Sequence, residues 1–297
     1  MTPQRDLADG FVGQGAERYD RRFDSPGSDG QALRDRLART VELIGSGSGD
    51  VLDAGMGAGR LCEALTRNGW KVSGIDASEA MVELARQRVP TASDRLVQGV
   101  LEKMPFGDAQ FDVAVATGVL EFSELDSALA ELSRVVKAGG MVLVSYPNPR
   151  SMHRWWKTRV YYRAIGVAKH FARDGREPPR GAPLLSLERF AELLDSNGIE
   201  PVGRHYVGFH VVLPPISHAL PTIAERLAKA VARRAPRLGP ILAGQIIFTG
   251  RKRAAPAAPS ARLLHRDESH EHGVVERRAP GLDERMVKAG EQIVGDQ

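Results

Sequence analysis

The most constraining stretch of the chain is Val51-Leu52-Asp53-Ala54-Gly55-Met56-Gly57-Ala58-Gly59-Arg60, followed by Gly74-Ile75-Asp76-Ala77-Ser78. An apolar run leads into a small-residue turn, and residues 60–67 then read as a helix with Leu61, Ala64 and Leu65 on one side. Glycines at 55, 57 and 59 permit positive φ and bring backbone N–H groups near a ligand, while the helix N-terminus behind them favours negative charge. Residues 71–75 read as a second parallel strand. Asp76 stands at its carboxyl end, placed to accept hydrogen bonds from the two hydroxyls of a ribose.

A dinucleotide-binding turn needs Gly-x-Gly-x-x-Gly, which would put its third glycine at position 60; that residue is Arg60, and the spacing here is Gly-x-Gly-x-Gly. With Asp53 two residues before the first glycine, the turn resembles motif I of the class I S-adenosylmethionine-dependent methyltransferases. The segment 74–81 resembles the family's second motif. Leu101-Glu102-Lys103-Met104-Pro105-Phe106 with residues 111–116 resembles the third, and 129–145 resembles the helix, turn and strand that follow. The resemblance covers roughly residues 10–148 and is nearest to the broad subgroup that includes the quinone C-methyltransferases.

This resemblance implies S-adenosyl-L-methionine as cofactor. It places backbone at Gly55, Gly57 and Gly59 beside the methionine portion, Asp76 on the ribose, Ala77 beside adenine, and Thr117 and Gly118 along the methionine side. Asp53 either reaches the amino group or orders the glycine turn without touching ligand. Residues 16–23 resemble the helix that covers the cofactor in this subgroup. Tyr19 is then a lid residue, or alternatively an i, i+4 packing partner of Phe23. One departure stands out: where the subgroup often carries Gly-Asp-Ala-Glu, this chain has Gly99-Val100-Leu101-Glu102, and Val100 cannot accept the adenine amino group. Backbone at Leu101 and Glu102 holds adenine instead, or the Glu102 side chain substitutes, or affinity is lower.

Further strands are expected at 95–98, 112–116, 141–145, 201–207 and 243–251, with helices between them. That alternation predicts an α/β, Rossmann-like, doubly wound sheet of seven strands, mostly parallel, with an antiparallel last strand. Residues 1–45 form a helical lid in this reading and 46–253 the catalytic domain. Insertions at 149–185 and 207–242 form helical caps on the acceptor side, and 254–297, rich in Ala-Pro and mixed charge, forms a disordered tail.

The chain of 297 residues has a net charge of only +4, but its cations are unevenly placed. Residues 150–180 hold nine Lys or Arg against Asp174 and Glu177, interleaved with Trp155, Trp156, Tyr161, Tyr162 and Phe171. A helix over 222–235 sets Ile223, Leu227 and Val231 on one face and Arg226, Lys229, Arg233 and Arg234 on the other. Such segments lie at a membrane interface, guard a tunnel for a lipid-like acceptor, or are solvated basic faces over packed helices. No RNA-binding module is recognisable, so nucleic acid is not an expected partner. The lone Cys62 excludes an intrachain disulfide and a thiol zinc cluster. No apolar run reaches a membrane span, so the expected location is the cytoplasm, with the inner membrane face for any interfacial contact.

Residues 265, 270 and 272 are tail histidines read as solvated, and no metal site is expected. If the acceptor is a hydroxyl, a base of near-neutral pKa helps; His210 is the first candidate and His153 the second, ahead of His205 and His218. Glu121 and Tyr146 follow strands on the same sheet edge. The leading reading is methyl transfer to oxygen or carbon of a hydrophobic or natural-product-like small molecule. A cofactor-binding scaffold without catalysis and a membrane-peripheral lipid or quinone methyltransferase are the alternatives. Arg60 argues against a nicotinamide oxidoreductase.

Overall fold

The computed structural model describes residues 14–161, 163, 184–234 and 236–254. Residues 1–13, the tail beyond 254, its histidines, Tyr162, Phe171 and four of the nine cations in the first insertion lie outside the described residues.

Seven strands form one sheet: β1 (Asp50–Ala54), β2 (Lys71–Asp76), β3 (Leu96–Gln98), β4 (Phe111–Ala116), β5 (Val136–Pro147), β6 (Ile199–Phe209) and β7 (Ala243–Lys252). Their spatial order is β3-β2-β1-β4-β5-β7-β6, and β7 runs antiparallel to both β5 and β6. The helices are α1 (Gln14–Asp20), α2 (Ser28–Ile44), α3 (Arg60–Arg67), α4 (Glu79–Arg88), α5 (Leu125–Val135), α6 (Met152–Trp156), α7 (Leu187–Ser196), α8 (Ile216–Ala219), α9 (Pro221–Arg234) and α10 (Gly239–Leu242).

The central strands are apolar on both faces because helices cover both. Leu52, Ala114 and Val144 join α5 and α7 in one buried cluster, while Val51, Val113 and Leu143 join α3 and α4 in another. Strand order reverses between β1 and β4, so a crevice opens at the carboxyl ends of these two strands, where Asp53, the glycine turn and Thr117 emerge.

Strands β5 and β6 are longer than the sequence pattern predicts. β5 already begins at Val136, paired with Phe111, and a register shift between Phe111 and Val113 takes up the glycine pair at 139 and 140. Conversely β3 is short, and Arg95 stands outside it, its Nε donating to the Val72 carbonyl at 3.0 Å.

Helix α9 is turned differently from its amphipathic pattern. The side chains it buries are Ala224 and Ala228, while Ile223 is 52% and Leu227 44% exposed. Glu225 holds this orientation: it pairs with Arg34 of α2 at 3.1 Å and accepts the Gly27 amide at 3.3 Å, while Ala228 packs on Phe209 and Ala243 of the sheet.

The segments after β5 and after β6 meet. Trp156 donates its indole N–H to the Pro214 carbonyl at 2.8 Å, and the Asn148 amide donates to the carbonyls of Pro240 and Ala243 at 3.1 and 2.9 Å. No helix among the described residues is long and apolar enough to cross a membrane.

Candidate functional site

The crevice at the strand ends is a cavity of about 330 Å³. β1 delivers Asp53 to its floor, and the glycine turn forms one side. Gly55, Gly57 and Gly59 have φ of 79°, 52° and 77°, values that side-chain-bearing residues rarely adopt. Their reasons differ. A Cβ on Gly55 would strike Val119 at 2.7 Å and one on Gly59 would strike Ala85 at 2.9 Å, whereas one on Gly57 would meet nothing within 4 Å. Gly57 is therefore the open cradle, and Gly59 serves the packing of α3 on α4.

Backbone amides of the turn are largely satisfied within the protein. Those of Gly55 and Met56 donate to the Ile75 carbonyl at 2.7 and 3.0 Å, and that of Gly57 donates to Asp76 Oδ2 at 2.9 Å. The turn thus contributes shape and the fixing of Asp76 more than the array of N–H donors expected from its sequence. Asp76 Oδ1 accepts the Ser78 amide at 2.9 Å. A carboxylate has about four lone-pair sites, so acceptor capacity remains on both oxygens for a diol. Burial raises the Asp76 pKa, opposed by the amides of Ser78, Gly57 and Ala77.

Asp53 is only 2% exposed, and the thiol of Cys62 donates to its Oδ2 at 3.3 Å. Burial pushes its pKa up to about 7, against the Cys62 hydrogen bond and with the help of the Asp76 charge. Two acidic groups in one apolar-walled crevice favour a cationic ligand end, which fits the ammonium and sulfonium of S-adenosylmethionine.

Of the residues expected to meet cofactor, Tyr19, Asp53, Gly55, Gly57 and Asp76 line this cavity, as do Ala77, Leu101, Thr117 and Gly118. Two do not. Gly59 faces Ala85, and Glu102 is turned away: its Oε1 accepts the Glu124 amide at 3.0 Å at the start of α5, so it does not replace the missing aspartate at position 100. Tyr19 both lines the cavity and packs on Ala16, Ala58 and Met81, while Phe23 lies under the Arg60 guanidinium, 4.8 Å from its ring centre.

Arg60, noted in the sequence only for what it excludes, binds Asp20 at 2.7 Å and Asp24 at 2.7 Å. Burial raises the Asp20 pKa, but the hydrogen bonds of Arg60 and Arg88 outweigh it and hold the carboxyl below its ordinary value.

A second cavity of about 380 Å³ adjoins the first and shares Arg22, Leu33 and Arg36 with it. His153 and His210, separated by 57 positions in sequence, stack here with ring centres 4.0 Å apart and an interplanar angle of 9°. They are 8% and 6% exposed. Burial, then the neighbouring ring of His210 and Lys157, lowers the His153 pKa to about 3; burial and Lys157 lower that of His210 to about 4, against Asp29. Glu121 also lines this cavity.

His205 and His218 are elsewhere, the first beside Arg39 at 3.0 Å and the second against the Tyr161 ring. Tyr146 belongs to the core, stacked on Phe190 at 4.2 Å with its hydroxyl accepting the Leu185 amide. Arg36 escaped the sequence reading because nothing local marks it. Its guanidinium packs against Gly118 and donates to Gln245 Oε1 at 2.8 Å, a partner 209 residues away.

Comparison with known proteins agrees with this geometry. A family model described as a methyltransferase domain matches residues 52–144. Malonyl-[acyl-carrier protein] O-methyltransferase of Serratia marcescens is 36% identical over 108 residues, covering 35% of this chain and 42% of that protein. Demethylmenaquinone methyltransferase of Chlorobaculum tepidum is 35% identical over 108 residues, covering 36% and 44%. The matches thus span less than half the length of these curated relatives.

Among solved structures, a S-adenosylmethionine-dependent methyltransferase of Thermotoga maritima, described as a possible histamine N-methyltransferase, superposes with a TM-score of 0.53 at 20% identity. That superposition covers 84% of this chain and 99% of the other, and the likeness is one of fold. Residues 52–144 thus match a methyltransferase-domain family and are similar to the S-adenosylmethionine-dependent methyltransferases, which implies S-adenosylmethionine as cofactor.

Proposed function

We propose that this chain transfers a methyl group from S-adenosylmethionine to a small-molecule acceptor seated in the second cavity. In this reading residues 1–45 are the lid and the insertions 149–185 and 207–242 are the cap over the acceptor. The observation that carries it is the common wall: two cavities of about 330 and 380 Å³ meet at Arg36 and Leu33, one of them bearing the family's glycine turn and acidic strand end.

Bound in the first cavity, S-adenosylmethionine supplies an electrophilic methyl carbon. The work of the protein is to hold and aim: Asp76 takes the ribose, Asp53 faces the cationic end, Met81 and Leu101 offer apolar contact to the base, and Tyr19 closes the entrance. His153 and His210 remain neutral at pH 7, and a basicity this low does not suit the general-base role expected of either. They serve instead as hydrogen-bonding walls of the acceptor site.

Calorimetric titration with S-adenosylhomocysteine tests the reading. Binding to the wild type that falls at least about tenfold in Asp76→Ala supports it, and no binding, or binding indifferent to the substitution, refutes it.

Delivery of a lipid-like acceptor at a membrane surface is a second reading. It is favoured by the outward apolar residues Ile216, Leu220, Ile223 and Leu227, flanked by Arg226, Lys229, Arg233 and Arg234. Sedimentation with anionic vesicles checks it: the wild type pellets and Ile223→Glu with Leu227→Glu does not. A wild type that stays in the supernatant removes this reading.

A further inference from the structure

The second cavity carries chemistry that cofactor binding does not use. Its charged lining residues are Arg22, Arg36, Arg154 and Lys157 against Asp29 and Glu121, an excess of positive charge, while its two histidines are uncharged at neutral pH. Of the cavity's buried polar atoms without a hydrogen-bond partner among the described residues, His210 Nδ1 can donate to an anion in the tautomer that protonates it, whereas Glu121 Oε2 calls for a donor. Buried polar atoms are nearly always paired, so orphans facing a cavity mark where a bound molecule is expected to supply the partner.

We propose, building on the methyltransferase reading, that this cavity takes a small carboxylic acid and that its carboxylate is the methyl acceptor, gripped by Arg36 and Arg154 with His210 beside it. Arg36 is at the right place, because it lines both cavities and packs on Gly118 at the end of β4. Gln245 is the one hydrogen-bond acceptor recorded for it among the described residues, and a guanidinium has five N–H donors in a fork that matches a carboxylate. Arg154 is half-buried and has no ion pair among the described residues; burial raises the Glu121 pKa, opposed by the charge of Arg36 and, less, by that of Arg154. Ala32, Leu33 and Pro147 give the cavity an apolar side for the rest of the acid.

The chemistry agrees with the missing base. A hydroxyl acceptor must lose a proton during transfer, and neither stacked histidine is basic enough to receive it. A carboxylate is already nucleophilic at neutral pH. One of its oxygens gives an electron pair to the methyl carbon as the carbon–sulfur bond breaks, and the bonding pair passes to sulfur. One positive and one negative charge disappear together, a methyl ester and a thioether result, and no proton is released.

The test uses the full chain saturated with S-adenosylhomocysteine, titrated calorimetrically with octanoate and phenylacetate and with their uncharged counterparts octanol and phenylethanol. The acids bind at least about tenfold more tightly than the alcohols. Arg154→Gln removes most of that preference and leaves S-adenosylhomocysteine affinity unchanged. Arg36→Lys, which keeps the charge and loses the fork, weakens the acids as well. With labelled S-adenosylmethionine the acids yield methyl esters, and weakly buffered solution shows no acidification.

Alcohols binding as well as acids, acids failing to bind while S-adenosylhomocysteine does, or acid affinity indifferent to both arginine variants would overturn the proposal and leave the methyltransferase reading standing. Failure of S-adenosylhomocysteine itself to bind would strike that underlying reading instead.

Discussion

Arg60 holds Asp20 through its Nε at 2.7 Å, which ties the end of helix α1 to the first residue of the helix that follows the glycine turn. Arg88 of α4 reaches the other oxygen of the same carboxylate at 2.8 Å. Tyr19 is the neighbour of Asp20, so this pair of clamps fixes how Tyr19 stands in the wall of the first cavity. Replacing Asp20 by Asn removes the charge at the centre of the clamp and leaves two half-buried guanidinium groups with weaker partners. The expected result is a loss of about 1–2 kcal/mol of stability and a several-fold faster release of S-adenosylhomocysteine. Stopped-flow displacement measures the latter, and an unchanged release rate would show that α1 does not control access.

Asp53 gives the cofactor site a pH dependence. Its ordinary pKa is 3.8 and its folded value is about 7, so between these values the native chain holds a proton that the unfolded chain has released. Its contribution to stability is therefore greatest at acid pH and declines as pH rises toward 7. Cation binding has the opposite trend: affinity for S-adenosylmethionine rises from pH 6 to pH 8 as Asp53 ionises, with proton release on binding. Titrations in buffers of different ionisation enthalpy count that proton, and Asp53→Asn abolishes it.

The two stacked histidines act on stability at lower pH. Both have folded pKa values below the ordinary 6.5, about 3 for His153 and about 4 for His210, so the unfolded chain binds protons that the native chain refuses. Their contribution is complete above 6.5 and is lost as pH falls below it. Between pH 5.5 and 4.5 each histidine steepens the loss by about 1.4 kcal/mol per pH unit. His153→Phe, which keeps an aromatic ring in the stack, flattens the wild-type curve by roughly that slope in denaturant titrations; parallel curves would contradict it.

Gly57 and Gly59 separate binding from folding. A methyl group at 57 enters open space at the cavity wall, so Gly57→Ala costs about 1 kcal/mol of backbone strain and weakens cofactor binding at least about tenfold. The same change at 59 drives a methyl into Ala85 and destabilises by about 2–3 kcal/mol or more. Thermal unfolding and cofactor titration of the two variants side by side check this inversion.

Local pattern explains why much of this was legible. A strand, a glycine turn and a strand ending in Asp76 are set by residues near one another in the chain, and the sheet order follows from their alternation with helices. What escaped the sequence depends on partners that meet only after folding. The pairing of His153 with His210, the reach of Arg36 to Gln245 and the grip of Arg60 on Asp20 leave no periodic trace. Glu102 is turned away because the start of α5 offers its carboxylate a backbone amide. The orientation of helix α9 was not legible for another reason: an apolar stripe faces either a core or a membrane surface, and here Glu225 anchors the side that carries the alanines.

A single guanidinium standing in two chambers also has a thermodynamic meaning. In the proposed reading, whatever draws Arg36 toward an occupant of one chamber changes the electrostatic welcome offered in the other, so the two ligands sense each other through that guanidinium as well as through the reacting atoms. By reciprocity, the factor by which the first alters the affinity of the second is the factor by which the second alters the first, and departure of either resets both.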